Sequence, residues 1–115
     1  DVIKIEVVGE DGKKFTIVGI IGGNKEERIV EINDYPIDVV ISENMLLVEN
    51  NDVPGEIGNV GRILGEENVN IATKHVGRKE NSAIMLLTVD DAVAEKSVKK
   101  LEEFEQIRKV KYLNL

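Results

Sequence analysis

Apolar and polar residues alternate from Val2 to Val8 and again from Lys14 to Ile21, and Glu10-Asp11-Gly12 between them reads as the turn joining two antiparallel strands. After the loop Gly22-Gly23-Asn24-Lys25, Arg28 to Ile32 and Tyr35 to Ile41 form a second strand pair around Asn33-Asp34. Pro36 cannot donate to a ladder, which pushes the latter strand toward an edge. Strand pairs without helices bury little, so residues 1–41 are expected to lean on the rest of the chain or to belong to a larger body.

Beyond the polar joint Ser42-Glu43-Asn44 the period changes. The pattern predicts strand 45–50, helix 54–66, strand 69–77, strand 82–89, helix 93–103 and strand 107–113, an order βαββαβ. Ile57, Val60, Ile63 and Leu64 share one face of the first helix, with Glu56, Arg62, Glu66 and Glu67 largely off it. Asp52 is the expected cap, Pro54 suits the first turn, and Asn68 tolerates the left-handed exit. Gly58, Gly61 and Gly65 each cost the helix up to ~1 kcal/mol relative to Ala, for which close approach of another backbone is the expected compensation. The second helix carries Ala92, Val93, Ala94, Val98 and Leu101, with Asp90 or Asp91 as its cap. Such split βαβ connections give an α+β, ferredoxin-like unit: a four-stranded antiparallel sheet with both helices on one face. The chain thus divides into a β-rich segment of two strand pairs, 1–41, and a βαββαβ domain, 42–115.

The stretch Asn50-Asn51-Asp52-Val53-Pro54-Gly55 joins a strand end to a helix start, and Asn70-Ile71-Ala72 opens the next strand. Backbone N–H groups at Gly55, Glu56 and Ile57 would face whatever sits before the helix, and a carboxylate is the natural guest. Each polar residue here also has a structural reading: Asp52 as cap only, Asn70 as a turn tie, Asn50 as an exposed amide.

Asn51-Asp52-Val53-Pro54-Gly55-Glu56-Ile57-Gly58 with Val69-Asn70-Ile71-Ala72 resembles the ACT domain, a ligand-sensing module of enzymes of amino-acid metabolism. Val76-Gly77-Arg78-Lys79-Glu80 and Ala83 to Asp91 look like the ACT domain that ends many bacterial D-3-phosphoglycerate dehydrogenases. Val18 to Gly23 and Arg28 to Tyr35 look like the last part of that family's intervening, allosteric substrate-binding domain. The resemblance implies strand order 4-1-3-2, with the strand from Asn70 to Gly77 at an edge. It also implies a homo-oligomer paired through that edge and the first helix, with L-serine or another small amino acid bound across the seam. Positions 50, 52 and 70 match the family's serine-contacting positions, so the implied effector site comprises Asn50, Asp52, Val53, Pro54, Gly55, Glu56, Ile57 and Asn70. Asp52 would accept the ammonium, and the Asn50 and Asn70 amides would donate and accept. The intervening domain is said to sense an anion, for which Lys25 and Arg28 are the candidates. An iron–sulfur L-serine dehydratase segment and an assembly-only ACT module are the other readings.

Composition narrows the field. The 115 residues suit about one domain, and the start at Asp1 fits a piece of a larger protein. A net charge of −7 and only four aromatic residues argue against a nucleic-acid binder. No apolar run approaches a membrane span and no signal peptide is evident, which makes the cytoplasm the default. There is no Cys; His75 is the only histidine, and Ser42, Ser82 and Ser97 have no neighbouring base, so no catalytic residue is assigned. Asp90-Asp91 and Glu66-Glu67 lack calcium-loop spacing, and no metal site is expected. Gly19, Gly22 and Gly23 make no dinucleotide fingerprint, so this segment is expected to hold no cofactor and the resemblance implies NAD elsewhere in the parent enzyme.

Overall fold

The computed structural model describes residues 1–8, 14–21 and 26–114, the side chain of Ile57 excepted; the turn expected at 10–12, the loop at 22–25 and the candidate anion ligand Lys25 lie outside them. The chain falls into two compact units, Asp1–Ile41 and Ser42–Leu115.

In the first unit, β1 (Val2–Val8), β2 (Lys14–Ile20), β3 (Arg28–Ile32) and β4 (Tyr35–Val40) follow one another as neighbours in a single antiparallel sheet. The two expected strand pairs are therefore one sheet, because β2 also pairs with β3 from Ile17↔Ile32 to Ile20↔Arg28. Asn33 and Asp34 take φ 49 and φ 68, the left-handed pair that a tight hairpin needs and that Asn and Asp tolerate. Asn33 also exchanges bonds with β2: its N–H donates to the Thr16 carbonyl and its Oδ1 accepts the Thr16 N–H, each at 2.8 Å. Phe15, Ile17, Ile29, Ile32, Tyr35 and Val39 form the buried set, and β4 with the exposed Pro36 is an edge.

The second unit contains β5 (Asn44–Asn51), α1 (Glu56–Glu66), β6 (Ile71–Lys79), β7 (Ser82–Val89), α2 (Glu95–Glu102) and β8 (Ile107–Asn114). Its antiparallel sheet has the order β6-β7-β5-β8, the expected 4-1-3-2 arrangement with β6 at an edge. Leu46 and Val48 of β5, Met85 and Leu87 of β7 and Val110 of β8 meet Val60, Ile63 and Leu64 of α1 and Leu101 of α2 in one apolar cluster. Each fully buried aliphatic side chain contributes roughly 1.5–3 kcal/mol. β5 and β7 are buried over most of their length, and this explains the apolar runs 45–48 and 83–87 within them.

Several boundaries move for local reasons. Helix α1 begins at Glu56, not at 54, with Gly55 as N-cap at φ 90 and no side-chain cap bond. Asp52 is thus not the cap, and Pro54 stands in the turn before the helix. Only glycine takes φ 90 without strain, so the turn depends on Gly55. The other end follows expectation: Asn68 is at φ 59, its N–H donates to the Gly65 carbonyl (3.1 Å), and the Val69 N–H donates to the Leu64 carbonyl (2.8 Å). That pair of bonds is the Schellman arrangement.

Because Val69 is held by this motif and Asn70 is bonded to Asp90, β6 starts at Ile71 rather than 69. Helix α2 starts at Glu95, two residues late, with Ala94 extended at the N-cap and no side-chain cap; Ala92, Val93 and Ala94 precede it. The Ala94 carbonyl accepts the N–H groups of Ser97 (3.0 Å) and Val98 (3.3 Å), and with Ala94 at the N-cap neither Asp90 nor Asp91 is the cap. A Cβ at Gly58, Gly61 or Gly65 would meet nothing within 4 Å, so the expected close backbone approach is absent within the described chain and that side of α1 is open.

Glu67 lashes the end of α1 to α2. Its carboxylate accepts from Lys100 Nζ and Ser97 Oγ, each at 3.2 Å, and Lys96 lies 4.0 Å away. The hydrogen bond from Lys100 lowers the Glu67 pKa below its ordinary 4.5. A folded-state pKa below the unfolded one adds stability that is fully present above the unfolded value and disappears as pH falls through the folded one. The urea midpoint of wild type should therefore exceed that of Glu67→Gln near pH 7, and the gap should close as pH is lowered below 4.5. A gap independent of pH would assign Glu67 to packing alone.

Candidate functional site

The end of the second unit's sheet nearest the start of α1 is built from one row of residues across three strands. Arg78 of β6 stands opposite Ala83 of β7, and Ala83 stands opposite Asn50 of β5. Residues in register share a face. Ala83, with one side-chain carbon, leaves space between the two longer neighbours, and Val76 opposite Met85 forms the next row on that face. The 52–56 turn closes over this space. The result is a cleft of about 340 Å³ lined by Asn50, Asp52, Val53, Pro54, Gly55, Glu56, Val76, Arg78, Ala83 and Met85. That volume lies at the small end of the range for ligand sites, roughly 300–1,000 Å³.

The turn is held from both sides. The Asp52 N–H donates to the Asn81 carbonyl in the β6–β7 turn, the Val53 N–H to the Asn51 carbonyl, and the Asn51 N–H to the Gln106 carbonyl before β8. The Asn51 side chain donates to Gln106 Oε1 and accepts from Arg108, which fastens the end of β5 to β8. The chain therefore enters α1 along a defined path, and no side chain caps the first turn of α1. Gly55 and Glu56, at its start, line the cleft, and a helix start favours an anion.

Four charged or polar side chains define the chemistry: Asp52, Arg78, Asn50 and Glu56. Asp52 pairs with Arg78, whose Nε is 3.3 Å from Oδ2 and 3.4 Å from Oδ1. Asn50 is buried at 2 % exposure, so its reading as an exposed amide is wrong: it sits inside the sheet edge of the cleft, where Nδ2 donates to the Asn51 carbonyl. Glu56, expected off the apolar face, is only 6 % exposed, and its Oε1 accepts from Asn59 Nδ2 at 3.2 Å. One oxygen of each, Asn50 Oδ1 and Glu56 Oε2, is buried without a hydrogen-bond partner. A buried acceptor in that condition costs about 1–3 kcal/mol.

Asn70 stands apart. It precedes β6, whose first residue Ile71 pairs with Val89, whereas Asp52 follows the end of β5, whose last residue Asn51 pairs with Ser82. Ser82 and Val89 are the two ends of β7, separated by roughly 23 Å at the usual rise per residue. Within one copy the strand end, helix start and second strand start therefore do not make one site. Asn70 ties β6 to β7 instead, its Nδ2 donating to Asp90 Oδ2 (2.9 Å) and its carbonyl accepting the Asp90 N–H (3.1 Å). Val76, Arg78, Ala83 and Met85 were not singled out from the sequence. The signal was present: Val76 and Arg78 are two apart in a strand that turns back at Glu80-Asn81, which sets them across from Ala83 and Met85.

The other candidates fall outside this cleft. Arg28 is engaged by Asp38 (Nε to Oδ1, 2.5 Å) and lies 3.9 Å from Glu26, and the Asp38 hydrogen bond raises its pKa. Such pairing competes with any anion at Arg28. His75 lies on β6 opposite Leu86. Among the described residues no group of three or more His, Cys, Asp or Glu could hold a metal ion, and no helix is long and apolar enough to cross a membrane.

Comparison with known proteins agrees with this architecture. The family model of the ACT domain matches residues 44–106. The chain is 41% identical over 115 residues to the D-3-phosphoglycerate dehydrogenase of Bacillus subtilis, a match covering 98% of this chain and 22% of that protein. It is 38% identical over 114 residues to the D-3-phosphoglycerate dehydrogenase of Methanocaldococcus jannaschii, covering 96% of this chain and 22% of that protein. The chain thus spans 22% of the length of either relative. Among solved structures, the ACT domain from GTP pyrophosphokinase of Chlorobium tepidum superposes with a TM-score of 0.51 at 15% identity, over 61% of this chain and 95% of that one, a likeness of fold alone. The βαββαβ order, the 4-1-3-2 sheet and the match over residues 44–106 agree: this chain belongs to the ACT domain family.

Proposed function

We propose that this chain is the C-terminal regulatory region of an NAD-dependent D-3-phosphoglycerate dehydrogenase, the enzyme that opens L-serine biosynthesis. In this reading residues 1–41 end the intervening domain, and the ACT unit binds L-serine, or another small amino acid, as feedback effector in the seam between two copies of a cytoplasmic homo-oligomer. The dehydrogenase relatives support this parent over the L-serine dehydratase. Nicotinamide binding is assigned to the rest of such an enzyme, because the sequence contains no Gly-x-Gly-x-x-Gly.

The observation that carries the seam is the separation of Asn70 from the cleft. Edge strand β6 exposes unpaired backbone groups, and its natural partner is another β6. In a two-fold antiparallel pairing, the start of one β6 lies beside the end of the other. Asn70 of one copy would then stand near the Arg78 end of its neighbour, completing two equivalent sites. The open glycine side of α1 suits the same approach. L-Serine bound there would favour one arrangement of subunits, a coupling of typically ~1–3 kcal/mol that lowers activity without blocking the active site.

Calorimetric titration with L-serine, run beside sedimentation of the chain, tests this. A dimer with two equivalent sites is expected. A monomer at millimolar concentration, with and without L-serine, would overturn the seam.

A further inference from the structure

We infer that the Glu56 carboxyl and the Asn50 amide oxygen receive the effector's ammonium group, and that Arg78, held at the rim by Asp52, receives its carboxylate. The inference rests on the amino-acid reading above and narrows it, since the expected acceptor of the ammonium was Asp52. In the structure Asp52 is already paired with Arg78. The atoms left wanting are elsewhere: Asn50 and Glu56 line the same cleft, and one oxygen of each, Asn50 Oδ1 and Glu56 Oε2, is buried and has no donor. The remaining polar atoms of both side chains are committed. Asn50 Nδ2 is held by the Asn51 carbonyl, which identifies the unpaired atom as the oxygen, and Glu56 Oε1 is held by Asn59.

Both unsatisfied atoms are acceptors, so the guest must bring donors to this end. An ammonium carries three and a positive charge, a hydroxyl carries one, and a carboxylate carries none. At the other end, Asp52 engages Nε of Arg78, and the terminal nitrogens of that guanidinium are donors suited to a carboxylate. The cleft is thereby matched to a small zwitterion. It should discriminate against hydroxy acids, which leave a buried acceptor unpaired, and against amines without a carboxylate, which leave Arg78 unused.

The test is calorimetry on this chain with three probes: L-serine, glycerate (hydroxyl in place of ammonium) and ethanolamine (no carboxylate). Wild type should bind L-serine at least about tenfold more tightly than either analogue. Glu56→Gln keeps the shape and removes the charge; it should weaken L-serine about tenfold or more and narrow the preference over glycerate. Arg78→Ala should weaken L-serine and leave ethanolamine unchanged. Circular dichroism and melting of each variant report folding, and the wild-type probe series decides the matter if a variant does not fold. Equal wild-type affinity for glycerate and L-serine, or full L-serine affinity in Glu56→Gln, would overturn the assignment. If Glu56→Gln keeps affinity while Asn70→Ala loses it, the seam stands and Glu56 does not. If wild type binds no amino acid, both readings fall.

Discussion

Leu64→Ala is expected to destabilise the chain by about 2–5 kcal/mol, the range for emptying a buried leucine site. Leu64 has no exposed surface, and it lies on the face of α1 that packs in the same cluster as Leu46, Met85 and Leu87. The backbone bond from the Val69 N–H to the Leu64 carbonyl does not involve the side chain, so the helix exit survives and the loss is one of packing. At the scale of a small domain the melting temperature should fall by more than about 10 °C. Arg62→Ala is the control. Its guanidinium pairs with Glu66 at 2.9 Å on the exposed side of the same helix, and removing it should cost under about 0.5 kcal/mol. Urea denaturation followed by circular dichroism separates the two, and a Leu64→Ala loss below about 1 kcal/mol would contradict the packing described for α1.

The second large effect concerns the seam. Asp52→Ala and Asn70→Ala should each abolish tight L-serine binding, yet a mixture of the two, unfolded and refolded together, should regain it. If each site takes Asp52 and its Arg78 partner from one copy and Asn70 from the other, a mixed dimer holds one intact and one doubly altered site. Random pairing then restores about a quarter of the sites at full affinity. Calorimetric stoichiometry reads this directly. No regained binding on mixing would mean that Asn70 does not complete the cleft of a second copy, and its bonds to Asp90 would be its whole role. Loss of fold in Asn70→Ala would show in the melting curve and would point to the same tie.

Much of the ACT unit was legible because its signals are local. The change from the apolar run 45–48 of β5 to the helical period of α1 marks the start of the βαββαβ order, and Asn68 marks the exit from α1, since few residues other than glycine tolerate φ 59. Asn33-Asp34 marked a hairpin for the same reason. What misled were residues whose side chains have more than one use. Asp52 and Asp90 both read as helix caps, yet Asp52 pairs with Arg78 and Asp90 with Asn70, each closing a contact between segments more than a turn apart in sequence. An acidic residue before a helix looks the same in sequence whether it bonds the helix or a neighbouring strand.

The sequence by itself determined the element order and the turn residues, because backbone preference and side-chain periodicity act over a few positions, and its resemblance to the ACT domain pointed to most of the residues that line the cleft. Only the tertiary structure decided which of them meet. Pairing of β6 with β7 brings Arg78 to Asp52 and Asn50, burial strips Asn50 Oδ1 and Glu56 Oε2 of solvent, and the length of β7 keeps Asn70 away. Those outcomes depend on strand register and on how side chains crowd one another across the sheet, and neither quantity is written in the local pattern of any single segment.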